Sequence, residues 1–254
     1  MVGDIQKASM LKRISACILD LIAIAIIATL FSYLISLISG FDSWNQRLEE
    51  AYSTYENQYG ITFRISAEEY KANGEEYMAQ YDAAYDALLA DEEAMKAYGV
   101  VSQLMVLTLS LSLFFAFLIW EFIIPLFLHD GTTVGKKIFG LCVMRTNCVK
   151  INGVSLFIRA ILGKYTIETM IPAYLIMMVF MGSIGIVAPI VVCGILVFQL
   201  ILLFSTKKNQ LIHCILSDTC VVDYASQMIY ENEEALLEAM KNEGKERAQR
   251  DPYY

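Results

Sequence analysis

Charge is what this sequence has least of. Only 18% of its residues are Asp, Glu, Lys or Arg, against about a quarter in soluble globular domains. The shortfall argues for lipid rather than water around much of the chain. Lys and Arg form no stripe along one face, which excludes a nucleic-acid footprint. The cysteines are Cys17, Cys142, Cys148, Cys193, Cys214 and Cys220, and no two have C-x2-C spacing. Neither that set nor the His213-Cys214/Cys220 group therefore reads as a zinc site. No cysteine falls in residues 41–99, so no disulfide framework holds that segment. All six read as small apolar residues. Ser-His-Asp, Cys-His and paired-carboxylate patterns are missing too, and the expectation is a non-enzyme with no cofactor and no metal.

Apolar sequence is what the chain has in abundance: 57% of residues are hydrophobic and mean hydropathy is +0.50. The first apolar run, 14–38, is longer than the ~7–15 residues of a signal-peptide core, and no small-residue cleavage site follows. Residues 1–40 therefore read as a short leader and a retained transmembrane helix ended by Gly40. Lys7, Lys12 and Arg13 against Asp4 place the leader in the cytoplasm.

Residues 41–99 are polar, with thirteen acids against four bases, a balance of −9. So few Lys and Arg place the segment outside the membrane. Trp44 and eight tyrosines argue against disorder. Tyr52, Tyr55 and Tyr59 share one helical stripe, and Tyr70, Tyr77, Tyr81, Tyr85 and Leu88 another. Ser66 and Glu69 have capping-box spacing ahead of the second stripe. The expected structure is a helical hairpin closed by its tyrosine faces.

Residues 100–128 form the second expected span, with Trp120-Glu121 inside it and Pro125 near its inner end. Residues 129–159 are basic and expected on the cytoplasmic membrane surface, among anionic headgroups met by Lys136 and Lys137. Within them 136–145 fits a short helix or strand, and Asn152-Gly153 a turn back to 154–157. Residues 160–204 are too long for one span. Gly182 to Gly185 and Pro189 divide them into two, with a re-entrant pair as the alternative. Residues 205–254 comprise an amphipathic piece at 212–223 and a charged, solvated tail.

Arg13 and Asp20 lie two helical turns apart and so share a face. A carboxylate at that depth costs several kcal/mol unless paired or hydrated. Its expected partner is Arg13, or Lys164 or Arg159 from elsewhere. Glu121 lies at comparable depth, and Glu168 follows Lys164 at i+4, the spacing of a local pair. The cluster reads either as a proton or cation site or as a buried ion pair fixing helix register. His129 is expected in the interface without a role. Gly131 to Lys137 resembles a P-loop, but three residues separate its glycines instead of four, and Lys137 follows the lysine where Ser or Thr is needed.

Three separated motifs carry a resemblance. Arg13 with Asp20 is the first. Gly131, Thr133, Gly135, Lys136, Gly140 and Val143 follow a G-x-T-x-G-K-x-x-x-G-x-x-V pattern, with Arg159 as the next basic position. His213 and Thr219 with Val221-Val222 form the last. In that order they resemble the RDD family of small bacterial membrane proteins. Cys214 stands where the family has its later aspartate. Were 212–223 helical, Asp218 would present the same face and stand in for it.

The resulting expectation is an all-α membrane protein with four transmembrane helices. An extracytoplasmic helical hairpin is inserted between helices 1 and 2, and both termini are cytoplasmic. It is a multi-pass protein of the cell membrane, of homo-oligomeric character because four helices enclose little room. The resemblance implies a role in transport, and the charged residues point to a small transporter or cation/proton exchanger in which Asp20 carries the coupling charge and Arg13 tunes it. The alternative is a non-transporting interaction module whose acidic hairpin meets a protein partner.

Overall fold

The computed structural model describes residues 5–128, 130–180 and 185–250; Asp4, His129 and residues 181–184 of the expected helix 3 and its turn lie outside them. The chain is all-α in class and 76% helical, with one short two-stranded sheet. In order, its elements begin with α1 (Met10–Ser39), α2 (Phe41–Tyr59), α3 (Ala67–Ala72), α4 (Gly74–Ala90) and α5 (Glu92–Phe117). A π-helical segment, Leu118–Ile123, leads into α6 (Ile124–Phe127). Then come α7 (Val134–Ile138), β1 (Leu141–Arg145) and α8 (Gly153–Phe157). A second π-helical segment, Ile158–Met170, runs into α9 (Ile171–Phe180). The chain closes with α10 (Val187–Ser205), α11 (Ile212–Leu216), β2 (Thr219–Asp223) and α12 (Glu233–Arg250).

Among the described residues three helices are long and apolar enough to cross a membrane: Met10–Ser39, Glu92–Phe127 and Val187–Ser205. In α1 the buried positions are Ala16, Asp20 and Ile24, one stripe at i, i+4, i+8. The rest of its apolar surface, including Ile18, Leu21 and Ile22, is exposed. A helix that is apolar all round but packed along one stripe is built for lipid. The helical stretch 158–180 differs. Arg159, Lys164 and Glu168 occupy its first half, and only the twelve residues 169–180 are free of charge. At 1.5 Å per residue these span about 18 Å, short of a bilayer core of about 30 Å.

The chain divides into two compact units, Met1–Ala28 with Leu113–Tyr254, and Thr29–Ser112. In the second, α2 packs against α4, as a helical hairpin requires. Ser66 and Glu69 form a reciprocal capping box at the start of α3. Phe63 stands between Tyr52 and Tyr81, with ring centroids 5.6 Å from each, and Tyr70 meets Tyr81 edge-on at 5.0 Å. Leu48, Ala97 and Val101 form the buried core, flanked by Phe41, Trp44 and Tyr52.

In the first unit β1 pairs antiparallel with β2, Val143 opposite Val221. Two expectations change here. The turn at Asn152 does not return a strand. Its side chain accepts from Ser155 N at 2.8 Å and starts α8 instead, so β1 finds its partner far along the chain. The piece at 212–223 is not one helix either. It breaks at Asp218, whose φ is +49°, into α11 and β2. Cys142, Met144, Cys148, Cys220 and Val222 form a buried cluster on the sheet. Burial pushes the Cys142 thiol up to about 12 and Cys220 up to about 11, so both are inert as thiolates.

Candidate functional site

The site starts at Gly135. A Cβ there would lie 2.5 Å from Asp20 Oδ1 and 2.7 Å from the Ala16 carbonyl oxygen. Only glycine lets the backbone of α7 approach α1 this closely. With Gly135 in contact, its N–H donates to Asp20 Oδ1 at 3.0 Å. Thr133 caps α7, and its hydroxyl donates to Asp20 Oδ2. Lys136 Nζ reaches the same oxygen at 3.4 Å, and Trp120 Nε1 donates to Oδ1 at 2.8 Å. Asp20, 3% exposed, thus has four donors, and Arg13 is not among them. The seven-residue spacing puts Arg13 and Asp20 on one face, but α7 occupies the carboxylate. Gly140, at φ +65°, turns the chain from α7 into β1, and Gly131, also left-handed, precedes α7.

Lys136 bridges two carboxylates. Its Nζ lies 3.5 Å from Glu121 Oε2 and donates to Thr133 Oγ1 at 3.0 Å. It is buried, which corrects the expectation of a lipid-facing lysine; Lys137 beside it is the exposed one. Burial pulls the Lys136 ammonium down to about 8, against the opposing pull of Glu121 and Asp20. It is therefore still a cation at neutral pH. The second oxygen of Glu121 pairs with Lys164. Glu121 sits in the first π segment and Lys164 in the second. Widened helical turns of this kind are frequent at functional positions.

Glu168 is not the partner of Lys164, contrary to the i+4 reading. In a π-helical segment four residues no longer complete a turn. Glu168 accepts instead from His213 N at 3.1 Å, and Nδ1 of His213 lies 2.8 Å from both of its oxygens. Burial, reinforced by Arg159, Lys164, Lys136 and Arg13, pushes His213 well below the ordinary histidine range. The ring is therefore neutral at pH 7, with the Nδ1 hydrogen assigned toward Glu168 from this contact. A Cβ at Gly163 would meet His213 Cβ at 2.5 Å, so α11 lies directly on the second π segment.

Arg159, 2% exposed, donates from Nη1 to Thr219 Oγ1 at 2.7 Å and Cys214 Sγ at 3.2 Å. Asp218 does not replace a carboxylate at Cys214. It lies in the left-handed turn after α11 with its side chain 60% exposed. There it accepts from Thr146 and lies 3.9 Å from Arg145.

These groups line one cavity of about 510 Å³. Arg13, Asp20, Glu121, Lys136, Arg159, Lys164, Glu168 and His213 all contribute to its wall. Sequence reasoning chose seven of these eight as a charge cluster or motif position and added His213 through the last motif. It missed Trp120, and it missed Lys136 as the central cation. The one signal for the latter was the G-x-T-x-G-K pattern itself. Among the described residues no group of three or more His, Cys, Asp or Glu could hold a metal ion.

The family model described as RDD family matches residues 7–218. Neither the curated proteins nor the solved structures give a match.

Proposed function

The chain belongs to the RDD family of membrane proteins, and from that premise we propose that it is a small transporter working through the cavity beside Asp20. The observation that carries this reading is the wall of that cavity. Three carboxylates, four cations and a histidine face about 510 Å³ of space, within the ~300–1,000 Å³ range of small-ligand sites, and the carboxylates are bonded to the lysines and the histidine. A pair serving only to fix helix register needs no such space around it. Charged groups at membrane depth are expensive and mark solute or proton paths.

In this reading Asp20 anchors and does not couple, because four donors already saturate it. Glu121 and the Glu168–His213 pair are the groups that change partner or protonation as a solute passes. A cation/proton exchanger is one form of such a carrier. The accompanying topology has four spans, 158–180 having the shortest charge-free stretch and packed on protein by its charged half. Both termini are cytoplasmic, residues 41–99 are extracytoplasmic, the location is the cell membrane, and copies associate. No catalysis is assigned.

The test is ion and proton flux into proteoliposomes, comparing wild type with Glu121→Gln and Asp20→Asn. Flux in wild type, reduced at least tenfold by Glu121→Gln in protein that still melts cooperatively, is expected. Flux absent from the wild type across monovalent cations, protons and small anions removes the reading.

A second reading has its own observation. The hairpin unit carries a cleft of about 460 Å³ lined by Tyr52, Tyr81, Tyr85, Glu49 and Arg64, a surface suited to a protein partner. If interaction is the role, deleting 41–99 removes co-purifying proteins while the remaining chain stays in the membrane.

A further inference from the structure

The sign of the solute follows from how the wall charges are paired. Each carboxylate facing the cavity is already satisfied from within the fold. Asp20 is held by α7 and Trp120, Glu121 lies between Lys136 and Lys164, and Glu168 takes both the ring and backbone N–H groups of His213. Among the described residues no acid of this cavity is left for a cation.

The guanidiniums are the opposite case. Arg159 is buried, yet the acceptors of its Nη1 are neutral, a threonine hydroxyl and a thiol. Arg13 faces the same cavity and repels Arg159. Neither guanidinium forms an ion pair with a carboxylate among the described residues. Burying an arginine without an anion is costly, and a planar fork of donors matches carboxylate and phosphate oxygens. Apart from Thr169 and Gln199 the rest of the wall is apolar, with Ile14 and Leu21 from α1 and Leu196 and Leu203 from α10.

We propose that the cavity binds an amphiphilic anion, a single carboxylate or phosphate head held by Arg13 and Arg159 with an alkyl tail along α1 and α10. The proposal deepens the transport reading and rests on it only in treating the cavity as open to a solute. The head has two sources, a free amphiphile or a lipid of the surrounding membrane, and they share this chemistry.

The test uses the full chain in phosphatidylcholine nanodiscs, with Trp44 changed to Phe so that Trp120 reports alone. Decanoate, decyl phosphate and decyltrimethylammonium are titrated against its fluorescence. Both anions are expected to bind at least tenfold more tightly than the ammonium. Arg13→Gln weakens decanoate binding at least tenfold, and Arg13→Lys weakens it less. Should Arg13→Gln not fold, Cys214→Asp carries the test. It sets a carboxylate where Sγ now lies 3.2 Å from Arg159, so the protein neutralises its own guanidinium and decanoate affinity falls at least tenfold. Adding phosphatidylglycerol to the nanodiscs identifies the source. Lost decanoate binding marks a lipid headgroup as occupant, and unchanged binding a free amphiphile. An ammonium that binds as well as the anions, or a Cys214→Asp variant with wild-type decanoate affinity, overturns the proposal. Cation flux without anion binding would leave transport standing and remove the anion site; anion binding without flux of any solute does the reverse.

Discussion

The two compact units use charge in opposite ways. In the hairpin unit, thirteen acids lie within 41–99 and none is buried. Its fixed points are aromatic: Phe63 between Tyr52 and Tyr81, and Leu48 under Trp44. In the other unit Asp20, Glu121, Lys136 and Arg159 are all buried, and the acids among them are met by donors from distant stretches of chain. Charge in the first unit keeps a surface wet. Charge in the second specifies which segments touch. Substitutions in the two should therefore differ by far more than their chemistry suggests.

The largest expected effect is Lys136→Met. It leaves Asp20 and Glu121 buried with one cation fewer between them, a loss on the order of 3–5 kcal/mol for a broken buried pair. Thermal melting in detergent should show no cooperative transition, or one far below wild type. Gly135→Ala comes next. Its Cβ has no room against Asp20 and the Ala16 carbonyl, and overpacking of this kind costs about 1–3 kcal/mol. A wild-type melting temperature for Gly135→Ala would mean that α7 does not seat on α1 as described.

The third effect depends on pH. His213 has a folded pKa below its unfolded value of about 6.5. Below pH 6.5 the unfolded chain binds the extra proton first, so the stability this residue contributes is present above pH 6.5 and is lost as pH falls. The melting temperature should drop between pH 7.5 and 5.5, and His213→Gln should flatten that slope. The smallest effect belongs to the hairpin. Glu49→Gln breaks an exposed pair with Arg64, and exposed pairs contribute little and are screened by salt. Its melting curve should overlay the wild type, and a shift comparable to that of Gly135→Ala would erase the contrast between the units.

The same contrast explains what could be read from the chain. The hairpin was legible because its signals are local: the Ser66–Glu69 box lies within one turn, and the tyrosine stripes repeat at helical spacing. The apolar runs of α1, α5 and α10 were legible because lipid selects composition over long stretches. The charge network was legible in membership but not in pairing. Asp20 meets Lys136 across more than a hundred residues, and no spacing rule reports that. Local rules misassigned Arg13 to Asp20, Lys164 to Glu168 and Asp218 to the site. In each, helical register was assumed where a docked backbone, a π-helical segment or a left-handed turn intervenes. The pairing of β1 with β2 was missed for a related reason, since two five-residue strands so far apart carry no mutual signature.

The most direct test of the account is solute flux through the reconstituted full chain, wild type beside Glu121→Gln. The account predicts gradient-driven flux in the wild type, at least tenfold less in Glu121→Gln, and folded protein in both. Equal flux from the two, with Glu121→Gln folded, would contradict the claim that this buried network lines the path.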